Sequence, residues 1–435
     1  MASAALLLPS HCTCRMPKTR RSTRRSRSNP QQPPPPFVTP KRKKVLVPIG
    51  LGTEEVEAVT MVDILRRAGA AVTMASVEEQ LQIEGSNGVR LIADASISSC
   101  VDESFDLVAL PGGMPGSVRL RDCNILQKIT SKQADEKRLY GAICAAPAVV
   151  LEPWGLLKRK QMTCHPAFMH KLPTFWAVTS NVQVAGEVTT SRGPGTAIEF
   201  ALSFVEQMFG KENAEEVEQT LAFHRNGIHP LQEEYNLMEW TFNHTPRVLI
   251  PIADGSEEME AVMMIDVLRR AKVNVVVASV EKYMEVVASR NVKIVADMLI
   301  SDAAKSTYDL ILLPGGAKGA ERLHKSSILK KLLNEQLLAG RAYGETCSAS
   351  DGVLHRHGLL EGKKAASHRS LSANITDASA KGGVGVVIDG KLITSRGTGA
   401  TMDLALAIVS KLFGHARARS VAAGLVFEYP KAKMS

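Results

Sequence analysis

Cys144 ends the apolar run LYGAI and directly precedes AAPAVVL, a stretch with helical spacing. A cysteine on such a strand-to-helix turn holds its sulfur near free backbone N–H groups, whose partial positive charge favours thiolate. The arrangement parallels the nucleophile elbow of hydrolases, with thiol in place of hydroxyl. Taken alone, a buried structural cysteine is the commoner fate of this residue type. Glu57 argues for chemistry. It stands at i, i+4, i+7 and i+8 with Met61, Ile64 and Leu65, on the apolar stripe of a helix. A carboxyl there is desolvated, which raises its pKa and suits it to donate a proton. His165, in TCHP, follows Cys144 by 21 residues; it is either a structural histidine or a helper to the thiol.

The same set returns. Cys347, Glu260 (over Met264, Val267 and Leu268) and His368 keep the spacings of 87 and 21. The pairs Gly112–Gly113 and Gly315–Gly316 close an apolar strand after proline. They let backbone approach a ligand and offer N–H donors to an oxyanion, or else simply make a tight turn. SRGPGT (Arg192) and SRGTGA (Arg396) read as strand-to-helix loops, their arginines open to an anion, a partner chain or a salt bridge. Cys100, Cys123 and Cys164 have no matching cysteine in the second set.

The elements that position these residues are themselves repeated. KVLVPIGLGTEEVEAVTMVDILRRAGAAVTMASVE, from Lys44, returns as RVLIPIADGSEEMEAVMMIDVLRRAKVNVVVASVE, from Arg247, an offset of 203. DLVALPGG and YGAICAAP return at the same offset, and TTSRGPGT at 204. The reading is a leader over 1–43, one domain over 44–223, a linker over 224–245 and a second domain over 246–435. Within each copy short apolar strands alternate with amphipathic helices, which predicts a mostly parallel sheet covered by helices on both faces. Ligands bind such sheets at the carboxyl ends of strands, where the cysteines stand.

Of the +9 formal charge, residues 1–44 hold eleven Lys/Arg and no acid, leaving 42 basic against 44 acidic residues beyond them. The folded body is near neutral, so no nucleic-acid footprint is expected. No run of eighteen apolar residues exists, so no membrane span is expected. The Arg-, Ser- and Pro-rich leader is too polar to order itself and reads as a chloroplast transit peptide. A cytosolic or nuclear address, through Lys41 to Lys44, is the alternative. The seven cysteines show no disulfide framework and no structural-zinc spacing, so neither metal nor cofactor is expected.

In this order the TEEVE, LPGG, AICAAP, CHP and SRGPGT elements resemble the DJ-1/PfpI family, over nearly all of both copies. The resemblance implies two tandem flavodoxin-like α/β domains packed as an intramolecular pseudo-dimer, with homo-oligomers possible. It implies Cys144 as nucleophile, Glu57 as its acid/base and His165 as a neighbour, with Gly112, Gly113 and the amide of Ala145 around an oxyanion. Cys347, Glu260, His368, Gly315, Gly316 and Ser348 take these places in copy two. The activity implied is a glutathione-independent glyoxalase or deglycase, acting on small dicarbonyls such as methylglyoxal and glyoxal to give lactate or glycolate. A redox sensor or redox-regulated chaperone working through cysteine oxidation is the alternative. A peptidase reading lacks a residue to orient its histidine. Copy two departs from the pattern: ETCSAS brings Glu345, Thr346 and Ser350, and Arg369 follows His368 where the family has proline. Glu345 falls on the same side of its strand as Cys347, where a carboxylate raises the thiol pKa. An arginine of the family pattern is missing near Asn87, though Arg290 fills the place in copy two. Site one is therefore expected to be the stronger.

Overall fold

The structure is a computed structural model and describes residues 42–223, 231–346, 352–366 and 384–429. The leader up to residue 41, together with Cys347, Ser348 and His368, lies outside the described residues.

Copy one runs β1 (Lys44–Ile49), α1 (Glu55–Arg67), β2 (Ala71–Ser76), β3 (Gln82–Glu84), β4 (Arg90–Ile92), β5 (Ala95–Ser96) and β6 (Leu107–Leu110). It continues through α2 (Gly116–Arg121), α3 (Asn124–Asp135), β7 (Leu139–Ile143), β8 (Val182–Ala185), β9 (Val188–Ser191), α4 (Ala197–Phe209) and α5 (Lys211–Thr220). After β10 (Leu231–Tyr235), copy two repeats the plan. Its first half is β11 (Arg247–Ile252), α6 (Glu258–Arg270), β12 (Asn274–Ser279), β13 (Glu285–Val287), β14 (Lys293–Val295), β15 (Met298–Leu299), α7 (Ile300–Ala303) and β16 (Leu310–Leu313). The second half is α8 (Ala317–Lys325), α9 (Ser327–Leu338), β17 (Ala342–Thr346), α10 (Val353–Arg356), β18 (Val384–Asp389), β19 (Leu392–Ser395), α11 (Thr401–Phe413) and α12 (His415–Leu425).

The first sheet has the order β5-β2-β1-β6-β7-β9-β8, parallel except at β8. The second has β10-β18-β19-β17-β16-β11-β12-β15, with β18 antiparallel to β19. This is the flavodoxin-like plan. Central strands such as β1 and β6 are buried on both faces, as a parallel sheet sandwiched by helices requires. Met61, Ile64 and Leu65 of α1 are fully buried against it, each contributing roughly 1.5–3 kcal/mol.

One element departs from the sequence reading. Within the stretch read as a linker, Leu231–Tyr235 forms β10 and pairs in parallel with β18. Its sequence, LQEEY, has the polar character of an edge strand, which covers the open side of β18.

The two copies share one continuous core. α1 packs on α6, and β4 pairs antiparallel with β14, so that β13-β14-β4-β3 form a small sheet across the copies. Leu221, just beyond α5, accepts a hydrogen bond from the Gly399 amide at 2.7 Å. In return, Val426 and Phe427, just beyond α12, lie against Gly193 and Gly195 of copy one. The repeats form an intramolecular pseudo-dimer in which each last helix reaches the other copy's SRG loop. Among the described residues no helix is long and apolar enough to cross a membrane.

Candidate active site

β7 delivers Cys144 onto the turn with φ +63°, a left-handed conformation uncommon for a side chain other than glycine. Two backbone bonds clamp it there. The Cys144 N–H donates to the Ser191 carbonyl at 3.1 Å, and its carbonyl accepts from the His165 N–H at 2.8 Å. The residue is 9% exposed, so the elbow opens only narrowly.

Glu57, in the first turn of α1, is fully buried. Its Oε2 accepts the Gly112 N–H at 2.7 Å, while its own N–H donates to Glu54 Oε2 at 2.8 Å, the N-cap of α1. Glu57 Oε1 has no hydrogen-bonding N–H or O–H around it. A Cβ on Gly112 would lie 2.5 Å from Cys144 Cβ and 2.9 Å from Glu57 Oε2. Glycine at 112 is therefore what lets thiol and carboxyl share one space. Burial pushes the Glu57 carboxyl up to about 8, offset in part by the Gly112 amide and the Cys144 thiol. It is chiefly protonated at neutral pH, as expected of a desolvated acid.

The thiol is a correction. Burial pushes Cys144 well up, and the Glu57 and Glu54 carboxylates add to this against the Gly113 N–H. The residues after the elbow form a five-residue π-helical stretch, Pro147–Leu151, but burial outweighs what the backbone N–H groups contribute. At rest, sulfur and carboxyl both carry protons.

Gly112 is a second correction, since its N–H is committed to Glu57 and is not free for an oxyanion. The Gly113 N–H is directed to the sulfur, and Ala145 lies buried next along the turn. His165 sits beside the elbow through its backbone, with its ring engaged elsewhere. Nδ1 accepts the Ala167 N–H at 3.2 Å, and Nε2 lies 3.4 Å from the Gly424 carbonyl of copy two. Burial holds this imidazole below its usual pKa. The described bonds make it a neutral cap, not the base for Cys144.

Copy two treats the equivalent acid differently. Glu260 is buried, and its Oε2 accepts from the Gly315 N–H at 2.6 Å and from the Thr346 hydroxyl. Its Oε1 accepts from Thr398 Oγ1 at 3.0 Å. Burial raises it to about 7, against those donors. Both oxygens are occupied. Ile143 and Pro194 fill the two threonine positions in copy one, which is why Glu57 Oε1 stays open. Glu345, expected to burden the thiol, turns to the next helix, where its Oε2 accepts the Leu354 N–H at 3.0 Å. The sequences showed these exchanges but not their chemistry, because which threonine reaches which carboxyl depends on packing.

The acids flanking both sites meet between the copies. Glu54, Glu55 and Asp266 form one buried group; Asp63, Glu257 and Glu258 form its pseudo-symmetric counterpart. Arg270 serves the first, with Nη2 2.8 Å from Glu54 Oε1 and Nε 2.5 Å from Asp266 Oδ1. Arg67 serves the second, 2.7 Å from Glu257 Oε1 and also bonded to Asp63. In sequence these glutamates are acids at the start of α1 and α6, where a helix dipole alone would favour them, and nothing local marks their partners in the other copy.

The DJ-1/PfpI family profile matches this chain twice, over residues 43–207 and 246–411. Protein DJ-1 homolog B of Arabidopsis thaliana is 49% identical over 374 residues, covering 86% of this chain and 85% of that protein. Protein DJ-1 homolog A of the same plant is 45% identical over 379 residues, 86% of this chain and 96% of that one. The glutathione-independent glyoxalase DJR-1.2 of Caenorhabditis elegans is 34% identical over 161 residues, 37% of this chain and 84% of that protein. With two matched copies and relatives aligned along most of its length, this chain belongs to the DJ-1/PfpI family as a tandem member.

Proposed function

We propose that copy one is a glutathione-independent glyoxalase in which Cys144 attacks methylglyoxal or glyoxal and Glu57 relays the protons. The observation that carries this reading is the open Oε1 of a fully buried, protonated carboxyl in contact with a single thiol. The relative named as a glutathione-independent glyoxalase adds support from within the family.

The sulfur bonds to the aldehyde carbon. Glu57 gives its proton to the aldehyde oxygen and recovers the thiol proton, leaving a hemithioacetal and a neutral carboxyl. Glu57 then takes the C1 proton while giving its own to the C2 oxygen, forming an enediol. The reverse exchange delivers a proton to C2 and takes one from the C1 hydroxyl. Water hydrolyses the resulting lactoyl thioester, releasing lactate and the thiol. A carboxyl with pKa near the working pH suits such two-way transfer. Early sugar adducts on amines would enter by the same addition.

The test is lactate release from methylglyoxal by the full chain. Cys144→Ser and Glu57→Gln each remove at least 100-fold of kcat/KM, while Cys347→Ser costs far less. Equal losses at the two cysteines would refute the ranking of the sites. Peroxide-dependent sulfinylation of Cys144 with negligible lactate would instead favour the redox-sensor reading.

A further inference from the structure

The two copies contact each other through pseudo-symmetric ion pairs, yet only one of those pairs is wired to a candidate site. Arg270 of copy two bonds Glu54 Oε1 at 2.8 Å. The other oxygen of Glu54 accepts the Glu57 N–H at 2.8 Å. Glu57 in turn accepts from Gly112, against which Cys144 is packed. An unbroken chain of hydrogen bonds therefore runs from a guanidinium in one copy to the acid of the other. On the opposite side Arg67 bonds Glu257 Oε1, but Glu257 makes no side-chain cap on α6. Its second oxygen accepts instead from Ser289 Oγ at 2.9 Å. Among the described residues no hydrogen bond links it to the Glu260 turn, although its charge still raises the Glu260 carboxyl.

We propose that Arg270 is a positioning residue for the copy-one site: it holds Glu54 as the cap of α1 and thereby fixes the turn that presents Glu57 to Cys144. This rests on the glyoxalase reading for its activity assay. The guanidinium is well suited to the task. Its planar fork spans Glu54 and Asp266 together, and Asn87 of copy one donates to Asp266 Oδ2 at 2.6 Å, keeping the pair seated. Copy two thus supplies part of the frame of site one.

Electrostatics gives the arrangement a signature. The charged and titratable groups facing Glu57 are Glu54 on α1, Asp266 and Arg270 on α6, and Cys144 at the elbow; Glu55 adjoins Glu54, and Asp63, Arg67, Glu257 and Glu258 form the counterpart group. Arg270 lowers the Glu57 carboxyl while Asp266 raises it. Removing the guanidinium charge therefore raises Glu57. Activity that requires a protonated Glu57 then persists to higher pH even as the rate falls.

The experiment compares Arg270→Gln with Arg67→Gln in the full chain, the two being the same lesion by pseudo-symmetry. Tm is expected to fall by a similar amount in both. Arg270→Gln should lose at least about 10-fold in kcat/KM for methylglyoxal, with its alkaline limb moved upward. Arg67→Gln should stay within about 2-fold with the limb in place. Arg270→Lys, which keeps the charge without the fork, should return the limb and part of the rate. Mass-spectrometric rates of iodoacetamide labelling at Cys144 against pH give a second readout, independent of turnover. Equal effects of the two glutamine variants on activity, or a labelling profile unmoved in Arg270→Gln, overturn the assignment. If the wild type releases no lactate while labelling changes in Arg270→Gln alone, the glyoxalase reading falls and the positioning role stands.

Discussion

Installing the copy-two hydroxyl in copy one should retune the proposed acid. Ile143 is fully buried at the end of β7, and Thr346 holds the equivalent place at the end of β17. The two acids sit alike: Glu57 accepts from Gly112 at 2.7 Å and Glu260 from Gly315 at 2.6 Å. A threonine at 143 therefore reaches Glu57 as Thr346 reaches Glu260. A hydrogen bond to a charged group contributes about 1.5–3 kcal/mol. Against a carboxylate, at about 1.4 kcal/mol per pH unit, this favours ionisation by about 1–2 units. Glu57 starts at about 8, and Glu260, with two such hydroxyls, stands at about 7. The direction is the same.

The sign follows. A lowered carboxyl loses its proton at lower pH, so the alkaline limb of kcat/KM moves down by about 1–2 pH units, and turnover at pH 7.5 falls by about 3–25-fold. The assay is lactate formation across pH 5.5–9.5 in a Cys347→Ser background, so that turnover reports on Cys144. Ile143→Val is the control, since valine has threonine's shape without its hydroxyl. It should cost about 0.5–1.5 kcal/mol of stability and leave the limb where it was. If Ile143→Thr and Ile143→Val share one pH profile, the protonated-relay account is wrong.

Two further outcomes are expected. Gly112→Ala places a methyl 2.5 Å from Cys144 Cβ and 2.9 Å from Glu57 Oε2; parting them should cost about 100-fold in kcat/KM and about 1–3 kcal/mol in stability, read by lactate release and thermal melting. Burial also raises Glu54 and Asp63, and brings Glu55 and Glu258 to about 7. Between about pH 4.5 and 7 the folded chain therefore holds more protons than the unfolded one, and stability declines as pH rises through that window. Tm should fall by several degrees from pH 5.5 to 8, less steeply in Glu258→Gln; a rising Tm contradicts the burial argument.

The fold was legible because its signals are local. A short continuous apolar run marks β1 and a period-3.6 apolar stripe marks α1, and the 203-residue offset marks their return. Glu57 was legible for the same reason: a charged residue on an apolar stripe is visible in one helix. What escaped was set by contacts distant in the chain. LQEEY becomes β10 only because β18 leaves an open edge. Glu54 resembles any first-turn acid until Arg270, 216 residues away, is seen bonded to it. The thiolate expectation erred because it weighed the turn but not the burial, and in a dry pocket desolvation outweighs one amide.

The tandem arrangement makes the difference between the sites intelligible. In a dimer of identical chains, any change at the interface or elbow strikes both sites at once. Fused copies can diverge separately. Thr346, Thr398 and Glu345 occupy both oxygens of Glu260 and cap α10, changes that favour a fixed structure over an open acid. Their counterparts Ile143, Pro194 and Ala142 carry no hydroxyl or carboxylate, and the buried Glu57 keeps its Oε1 without a hydrogen-bond donor. Yet copy two still places Gly424 against His165 and Arg270 against Glu54. Losing copy two would uncover those partners and strand buried carboxyls without their cation, so copy two is part of the frame of site one, whatever chemistry its own elbow supports.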